Sequence, residues 1–407
     1  MNFSEAIQHS SLACFSPSGE FLASSKAAKL SIFAAAHLGL LGSYTLLDVP
    51  AQIEWAEDSE YLLCAIPKKS LIQVFSRSDP SWSAKISLGL SGLAYARWTP
   101  DSRQVLTITE FQLRLTVWSL VDKSVCHIRN PKHAERGLSF SADGKFMALA
   151  ERLDCRDYIG IYYTQNWQLI NVTPTQHFQT DTLDLQDLVW TQDDTALVVW
   201  DHPLECRLLV YSPVGNLTGR QVPYTNGLGV KSVALSPNCL FLAAGFFDQS
   251  LRIYNHISWR QIIEFPHSAG IPASQVQIYR EEECKEPIAP GEEERVTSRY
   301  GMQEPPLKLP TLKVSTDKAN PPIGVSLCAW SADSRYLASR NDNQPTVLWI
   351  WDMQTLTLAV VLIQLQPIKS IHWSARSLHL AICTGSPRVF LWSEEGASVC
   401  EIPFGEL

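Results

Sequence analysis

One motif recurs along this chain of 407 residues at a nearly constant spacing. Each copy has an aromatic residue or leucine, four residues rich in Ser, Pro, Asp and Gly, and then an apolar run. The first residues of the eight copies, which we call the anchors, are Phe15, Trp55, Trp98, Phe140, Trp190, Leu235, Trp330 and Trp373. Successive anchors are 40, 43, 42, 50, 45, 95 and 43 residues apart. Such a period indicates a repeat architecture, and no other feature limits the possible folds as strongly.

A second landmark follows every anchor after 18 to 22 residues, and it consists of an aliphatic residue followed by an aromatic one. Its aromatic members are Phe33, Phe75, Trp118, Tyr162, Tyr211, Tyr254, Trp351 and Trp392. The anchor is predicted to end a first strand, and the turn residues lead into a second strand. Six of the seven spacings lie near the roughly 40–45 residues of a four-stranded WD-type blade. We therefore predict an all-β, WD40-type β-propeller with about eight four-stranded repeats, and seven to nine repeats are compatible with the pattern.

The 95-residue interval contains a long acidic and proline-rich insertion at residues 266–322. It includes the strings EEECKEP and GEEER, followed by several prolines. Few apolar residues and clustered glutamates disfavour a core of its own, which predicts a flexible, solvated loop. The loop is either a passive spacer or a regulated partner-binding segment. We predict a single propeller domain over residues 1–407, with this loop inserted in it.

Motifs that carry catalysis are missing from the sequence. A serine hydrolase would need G-x-S-x-G, a metal site would need H-E-x-x-H or paired C-x-x-C, and a phosphate-binding loop would need G-x-x-x-x-G-K-[ST]. None of these strings occurs. We therefore predict a protein that is not an enzyme and has no cofactor, no metal and no small-molecule substrate.

The net charge of the chain and its N-terminal sequence indicate which classes of partner and which cellular compartment to expect. The chain has 33 Lys and Arg against 41 Asp and Glu, a net charge of −8, which disfavours binding to a nucleic acid backbone. The opening MNFSEAIQHS lacks the basic and then apolar pattern of a secretory signal, and no stretch suits a membrane span. These features predict a cytoplasmic protein with no nucleic acid partner and no membrane insertion.

Two polar clusters lie between predicted second and third strands, ERLDCRDY at residues 151–158 and SRNDNQP at residues 339–345. Both exceed what a minimal hairpin turn requires, and loops at a propeller rim are where partners dock. The clusters are predicted either to bind a partner or only to cap strand ends by hydrogen bonds. The candidate partner-binding residues are Glu151, Arg152, Asp154, Arg156, Asp157, Arg340, Asn341, Asp342 and Asn343.

Longer strings resemble one eukaryotic WD-repeat family, the centrosomal and spindle-pole family that vertebrates encode antisense to a tumour-suppressor gene. The strings span nearly the whole chain and are MNFSE, TEFQLRLTVWSL, ALAERLDCRDY, TDKANPPIG, SRNDNQPTVLWIWD and LAICTGS. The resemblance implies a non-enzymatic scaffold at centrosomes, spindle poles and basal bodies that supports microtubule anchoring, spindle assembly and cilium assembly. It implies a coiled-coil microtubule-anchoring partner and, in fungi, a minus-end-directed kinesin. Members of this family usually continue for about one repeat beyond the position of Leu407.

Two other classes of WD-repeat protein compete with this interpretation. A substrate receptor of a cullin-type ubiquitin ligase commonly displays Trp-Asp-x-Arg at the end of a third strand. Here that place reads Trp351-Asp352-Met353-Gln354, and Gln354 lacks the bidentate donor of arginine. An RNA-binding WD protein would need a basic rim with exposed aromatic side chains, which the net charge disfavours.

Overall fold

The computed structural model of the chain describes residues 12–170, 177–272, 276–286, 295–314 and 320–402. Antiparallel sheets of four consecutive strands follow one another along these residues. The described residues form eight such sheets, which we call repeats 1 to 8 in chain order. The predicted all-β class with eight four-stranded repeats is confirmed.

Repeats 1 to 4 contain the first seventeen strands. Repeats 1 and 2 comprise β1 (Ala13–Phe15), β2 (Phe21–Lys26), β3 (Lys29–Ala34), β4 (Leu40–Thr45), β5 (Gln52–Trp55), β6 (Tyr61–Ile66), β7 (Leu71–Ser76) and β8 (Ser83–Ser87). Repeats 3 and 4 comprise β9 (Tyr95–Trp98), β10 (Gln104–Ile108), β11 (Arg114–Ser119), β12 (Val125–Arg129), β13 (Leu138–Phe140), β14 (Phe146–Leu153), β15 (Arg156–Tyr163) and β16 (Gln168–Leu169), with β17 (Phe178–Gln179) beside β15. The helices of the described residues are 3₁₀ turns at Pro67–Lys69, Gly89–Ser91 and Glu110–Gln112, too short to cross a bilayer.

Repeats 5 to 8 contain the remaining strands. Repeats 5 and 6 comprise β18 (Leu185–Trp190), β19 (Leu197–Asp201), β20 (Leu208–Tyr211), β21 (Leu217–Gln221), β22 (Val230–Leu235), β23 (Phe241–Phe246), β24 (Ser250–Asn255) and β25 (Gln261–Pro266). The segment before repeat 7 contributes β26 (Gly270–Ile271), β27 (Gln277–Glu286), β28 (Arg295–Gln303) and β29 (Leu307–Lys308). Repeats 7 and 8 comprise β30 (Val325–Trp330), β31 (Tyr336–Asn341), β32 (Val347–Asp352), β33 (Thr357–Ile363), β34 (Ser370–Trp373), β35 (Leu380–Cys383), β36 (Arg388–Ser393) and β37 (Gly396–Glu401).

The chain divides into two compact units. The first consists of Met1–Trp190, Asp194–Val199 and Ser212–Asn216, and the second of Thr191–Asp193, Trp200–Tyr211 and Leu217–Leu407. In the first unit, hydrophobic clusters lie between repeats 1 and 2, 2 and 3, and 3 and 4. In the second unit they lie between repeats 6 and 7 and between repeats 7 and 8. The assignment of residues 1–407 to a single domain stays a prediction.

The turn after each first strand is closed by side chains. Every anchor is the last residue of the first strand of its repeat, as predicted. In repeat 7, Ser331 Oγ donates to Asp333 Oδ1 over 2.6 Å, and the Tyr336 amide donates to Ser331 Oγ over 2.9 Å. Ser334, at φ 62°, donates its amide to the Ser331 carbonyl over 2.9 Å. Short polar side chains recur after the anchors because they supply these local acceptors.

Anchor tryptophans join repeats 2, 3, 7 and 8 to the sheets that precede them. Trp330 Nε1 donates to the Ala234 carbonyl over 3.1 Å, and its ring stacks on Phe241 of repeat 6 with 6.1 Å between centroids. The same hydrogen bond and ring contact recur at Trp55, Trp98 and Trp373. A buried indole is stabilising only when its N–H finds an acceptor, so this pair of contacts fixes how neighbouring sheets stack.

The turns of neighbouring repeats are also bonded to one another. In the first unit, the Ser18 amide donates to Ser59 Oγ over 3.1 Å, and an equivalent bond joins repeats 2 and 3. In the second unit, the Asn238 amide donates to Ser334 Oγ over 3.0 Å. Each acceptor is the residue of positive φ in the following turn. One repeat therefore completes the turn of the repeat before it.

The segment before repeat 7 has more regular structure than its sequence suggested. We predicted a flexible loop over residues 266–322, and over β27 and β28 that prediction is wrong, because these strands form an antiparallel hairpin. β27 also pairs in parallel with β33, the last strand of repeat 7. Two described side chains of the hairpin pack on neighbouring repeats. Ile278 is buried in the core between repeats 6 and 7, and the Tyr300 ring lies 5.9 Å from that of Phe390 in repeat 8.

Replacing Trp330 with Phe is expected to lower the free energy of unfolding by about 1–2 kcal/mol more than replacing Trp349 with Phe. Both indoles are buried, but within the described residues Trp349 Nε1 has no hydrogen-bond partner, whereas Trp330 Nε1 bonds the Ala234 carbonyl. Urea unfolding followed by circular dichroism measures both variants. Equal losses would show that the inter-sheet hydrogen bond is not what the anchor supplies.

Candidate partner-binding surface

The first polar cluster, residues 151–158, forms the ends of β14 and β15 and a two-residue turn. Asp154 and Cys155 make the turn at φ 48° and 60°, the geometry of a type I′ hairpin, and Leu153 pairs with Arg156 across it. The prediction that this cluster exceeds a minimal hairpin turn is wrong. Strand pairing extends further than expected, because aspartate tolerates the left-handed region that this turn requires.

Glu151 points into the core of repeat 4. It is 2% exposed, it accepts a hydrogen bond from Tyr162 Oη over 2.6 Å, and its Oε2 lies 3.1 Å from His177 Nδ1. Gly160 leaves room for it, since a Cβ there would lie 2.6 Å from Glu151 Oε1. Burial raises the pKa of Glu151 to about 7, and the hydrogen bond from Tyr162 only partly opposes that rise. Burial also lowers the pKa of His177.

Asp157 lies at the centre of a network of four charges. Its Oδ2 accepts hydrogen bonds from the Leu185 amide over 2.6 Å and from Lys132 Nζ over 2.8 Å. Asp184 lies 2.8 Å from Lys132 Nζ and 2.7 Å from Arg152 Nη1. Burial would raise the pKa of Asp184, but hydrogen bonds and charge from Lys132 and Arg152 outweigh it and hold that pKa below its usual value. The network ties the third strand of repeat 4 to the start of repeat 5.

The second polar cluster forms the turn between β31 and β32, which spans residues 342–346 and is longer than a two-residue turn. Asp342 pairs with Lys231 Nζ at 2.7 Å and with Arg340 Nη2 at 3.0 Å. Arg340 also donates to Ser326 Oγ over 3.2 Å and to the Ile368 carbonyl. These bonds connect repeat 7 with repeat 6 on one side and with the segment that leads into repeat 8 on the other.

The two asparagines of the second polar cluster share one partner. Asn341 Nδ2 and Asn343 Nδ2 both donate to Gln249 Oε1, over 3.2 Å and 2.7 Å. Asn341 Oδ1 accepts the Gly324 amide over 3.1 Å, and both asparagines are buried. Their side-chain contacts are therefore internal to the second unit.

The structure brings the predicted residues together within each turn but gives most of them internal partners. The buried members are Glu151, Asp157, Asn341 and Asn343, and the partly buried members are Arg340 and Asp342. The exposed members are Arg152, Asp154 and Arg156. These contacts support the alternative that the clusters fix strand ends. Partner binding stays a prediction, and the three exposed residues are where a partner can reach the first cluster.

One cleft of the second unit, of about 780 Å³, is lined by Tyr224, Phe247, Asp248 and Arg252 among others. Arg252 is paired with Asp248 at 2.6 Å and with Glu264 at 3.1 Å. The described residues that line the cleft include no serine, cysteine, histidine or lysine. Within the described ranges, no group of three or more His, Cys, Asp or Glu residues could hold a metal ion.

Sequence reasoning used the string TEFQLRLTVWSL only for the family resemblance and predicted no binding surface at the turn between β10 and β11, where Phe111 is 84% exposed. The signal was an aromatic residue and a leucine inside a short stretch of polar residues, TEFQLR. A turn of ordinary composition would hold small or polar residues there. Exposed apolar side chains of this kind mark binding surfaces more often than polar turn residues do.

Residues 212–255 match the family model described as WD domain, G-beta repeat. They run from the end of β20 to the end of β24. A relative, WD repeat-containing protein WRAP73 of Mus musculus, is 43% identical over 417 residues, covering 99% of this chain and 89% of the relative. The chain belongs to the WRAP73 family of WD repeat-containing proteins. Its fold class is the WD40-type β-propeller, as predicted, and the WD-repeat identification made from the sequence strings is confirmed.

Other similar proteins are more distant. A WD repeat-containing protein of Schizosaccharomyces pombe is 23% identical over 300 residues, covering 71% of this chain and 57% of that protein. The crystal structure of the Myceliophteria thermophila Cps50 (Swd1) β-propeller domain covers 96% of this chain and 98% of its own, with 13% identity and a TM-score of 0.45. As a WD-repeat protein of the WRAP73 family, the chain is a protein-interaction scaffold, and such proteins are generally non-enzymatic.

Replacing Glu151 with Gln is expected to flatten the dependence of stability on pH. Because the pKa of Glu151 is raised from 4.5 to about 7, the folded state binds more protons than the unfolded state in that window, and stability falls as pH rises through it. The Gln variant avoids this loss, so relative to the native protein it should gain about 1–3 kcal/mol at about pH 8 over its value at about pH 5. Urea unfolding at both pH values measures this, and parallel pH profiles would contradict it.

Replacing Asp157 with Asn is expected to lower the free energy of unfolding by about 2–4 kcal/mol, because Lys132 loses its buried counter-charge. The matched control is the same substitution at Asp154, which is exposed in the turn and should change stability by less than about 0.5 kcal/mol. Thermal and urea unfolding of both variants compare them. Similar small effects would mean that the charge network does not stabilise repeat 4.

Proposed function

We propose that this member of the WRAP73 family is a non-enzymatic scaffold at centrosomes, spindle poles and basal bodies. There it supports microtubule anchoring, spindle assembly and cilium assembly. The observation that carries the proposal is the 43% identity to a WRAP73 protein over 99% of the chain. The strings that resemble the centrosomal family also continue through Arg152, Asp154 and Arg156, exposed positions whose side chains the hairpin does not need for its core.

The proposed partner is a coiled-coil microtubule-anchoring protein and, in fungal relatives, a minus-end-directed kinesin. The net charge of −8 supports protein partners over nucleic acid. Membership of a WD-repeat family supports a role without catalysis, cofactor or small-molecule substrate, because such proteins are generally non-enzymatic scaffolds. The proposed location is the cytoplasm, at the cytoskeleton of a microtubule-organising centre.

Proximity labelling in dividing and in ciliated cells tests this proposal. The full chain, fused to a biotin ligase, is expected to label spindle poles and basal bodies and to enrich a coiled-coil anchoring protein. The ligase alone, expressed at the same level, is the control. A second fusion with Arg156 replaced by Ser tests the exposed turn of repeat 4, and it should reduce enrichment of the partner without changing the thermal unfolding of the purified chain.

Labelling without enrichment at poles or basal bodies would overturn the proposal. Enrichment of a cullin-ligase adaptor in place of centrosomal proteins would favour the substrate-receptor alternative. That alternative has little support here, because Gln354 stands where those receptors present arginine.

A further inference from the structure

Two turns at one edge of the first unit present large apolar side chains to solvent. Leu90, in the 3₁₀ turn that leads from repeat 2 into repeat 3, is fully exposed. Phe111 and Leu113, between β10 and β11, are 84% and 66% exposed. The turns lie against each other, since a Cβ on Gly92 would lie 2.5 Å from the side chain of Glu110. We call Leu90, Phe111 and Leu113 the apolar patch.

The backbone holds Phe111 in an unfavourable conformation. Phe111 and Gln112 adopt φ 61° and 51°, so two consecutive residues other than glycine lie in the left-handed region. The Gln112 amide donates to the Thr109 carbonyl over 3.2 Å, and the buried Thr109 fixes the turn. Glycine or asparagine would suit this backbone better, and a polar side chain would suit the exposure better. Folding therefore gives no reason for an aromatic residue at this position.

Basic residues flank the apolar patch. Lys68 and Lys69 are exposed in the neighbouring turn of repeat 2, and Arg114 is exposed at the start of β11. Leu47 and Val49, each almost half exposed, extend the apolar surface on the far side of Lys69, whose Nζ donates to the Leu47 carbonyl over 2.7 Å. The same Nζ lies 3.7 Å from Asp48 Oδ2 in a pair open to solvent, which leaves Lys69 accessible to a further carboxylate. In a chain of net charge −8, this edge offers cations around apolar side chains. A complementary surface would combine apolar side chains with carboxylates.

We propose that the apolar patch binds an acidic amphipathic segment of another protein, with apolar side chains against Leu90, Phe111 and Leu113 and carboxylates toward Lys68, Lys69 and Arg114. This site rests on the proposed scaffold function and specifies the chemistry of one partner. An aromatic side chain with leucines beside it is the usual anchor of such an interface, and the basic rim adds specificity and association rate.

An anionic membrane is the competing occupant, because apolar tips with basic neighbours also suit a lipid surface. Glu110 opposes it, since this exposed carboxylate stands beside Phe111 in the middle of the patch and would face the lipid charges. A protein segment can place a basic residue or a hydrogen-bond donor opposite Glu110. The charge pattern therefore favours a protein.

Site-specific photo-crosslinking identifies the occupant. The full chain carries benzoylphenylalanine at position 111 in cells, and cross-linked peptides are sequenced. The expected adduct is a segment of another protein with several leucine or phenylalanine residues and a net negative charge. That segment, made as a labelled peptide, should bind the purified full chain, and binding should weaken as salt is raised. The control chain carries benzoylphenylalanine at position 121 instead, where Val121 is 72% exposed at the opposite end of repeat 3. This chain should not capture that segment.

Phe111→Asn separates binding from folding. Asparagine suits the left-handed backbone, so the variant should keep or raise its melting temperature while losing about tenfold or more in peptide affinity. Lys68→Ser with Lys69→Ser should weaken binding and reduce its salt dependence, and Val121→Ser should change neither property. A lower melting temperature with unchanged affinity in Phe111→Asn would overturn the proposal.

Three results of cross-linking would also overturn it: adducts only with lipid together with binding to phosphatidylserine vesicles, adducts with a second copy of this chain, or adducts with basic segments. Localisation is scored separately on the native chain. If the native chain reaches spindle poles and no acidic segment is captured, this inference fails and the proposed function stands. If the native chain is missing from poles and basal bodies while an acidic segment is captured, the proposed function fails and this inference stands.

Discussion

The stacking of each sheet on its neighbour is the interaction on which the rest of this structure depends. A single repeat cannot be stable alone, because its middle strands are apolar on both faces; along β7, Leu71, Ile72, Val74 and Phe75 are all buried. Four of the five anchor tryptophans meet this requirement twice, by ring contact with the second strand of the preceding repeat and by a hydrogen bond to the first. The fifth, Trp190, makes the ring contact with Phe146, but its Nε1 has no hydrogen-bond partner within the described residues. Apolar area and a satisfied N–H then favour the same alignment of the two sheets.

Because the strands and the anchors form the core, the composition of the turns can vary from repeat to repeat. A turn can hold a buried charge network, as at Asp157, or a hub of amides, as at Gln249, or exposed apolar side chains, as at Phe111. Of these three kinds of turn, only the one at Phe111 directs its side chains to solvent. The charged turns look functional in the sequence, yet they mainly hold neighbouring elements together, while the turn between β10 and β11 offers a partner something to bind.

The sequence predicted the features that depend on local pattern. All eight anchors end their first strands, as predicted, because the turn residues that end the strand follow each anchor directly in the sequence. Features that depend on contacts between residues far apart in the sequence were not predicted. The hairpin of β27 and β28 exists because Gln277 pairs with Val360 and its neighbours, far along the chain. The burial of Glu151 depends likewise on His177, and that of Asp157 on Lys132 and Leu185, contacts that no spacing rule reveals.

The bonds that each repeat receives from the next have a consequence for synthesis of the chain. Repeat 1 obtains its partners, Trp55 Nε1 and Ser59 Oγ, 41 residues after its own bonding groups emerge from the ribosome. Repeat 6 waits 96 residues for Trp330 and Ser334, because the segment that contains the hairpin intervenes. At translation rates of about 5–20 residues per second, one face of repeat 6 stays uncovered for roughly 5–20 seconds. Among the tryptophan and turn bonds described above, those of repeat 6 form last relative to the groups that they join, so β22 and β23 are exposed to aggregation for longer than the equivalent strands of repeats 1, 2 and 7.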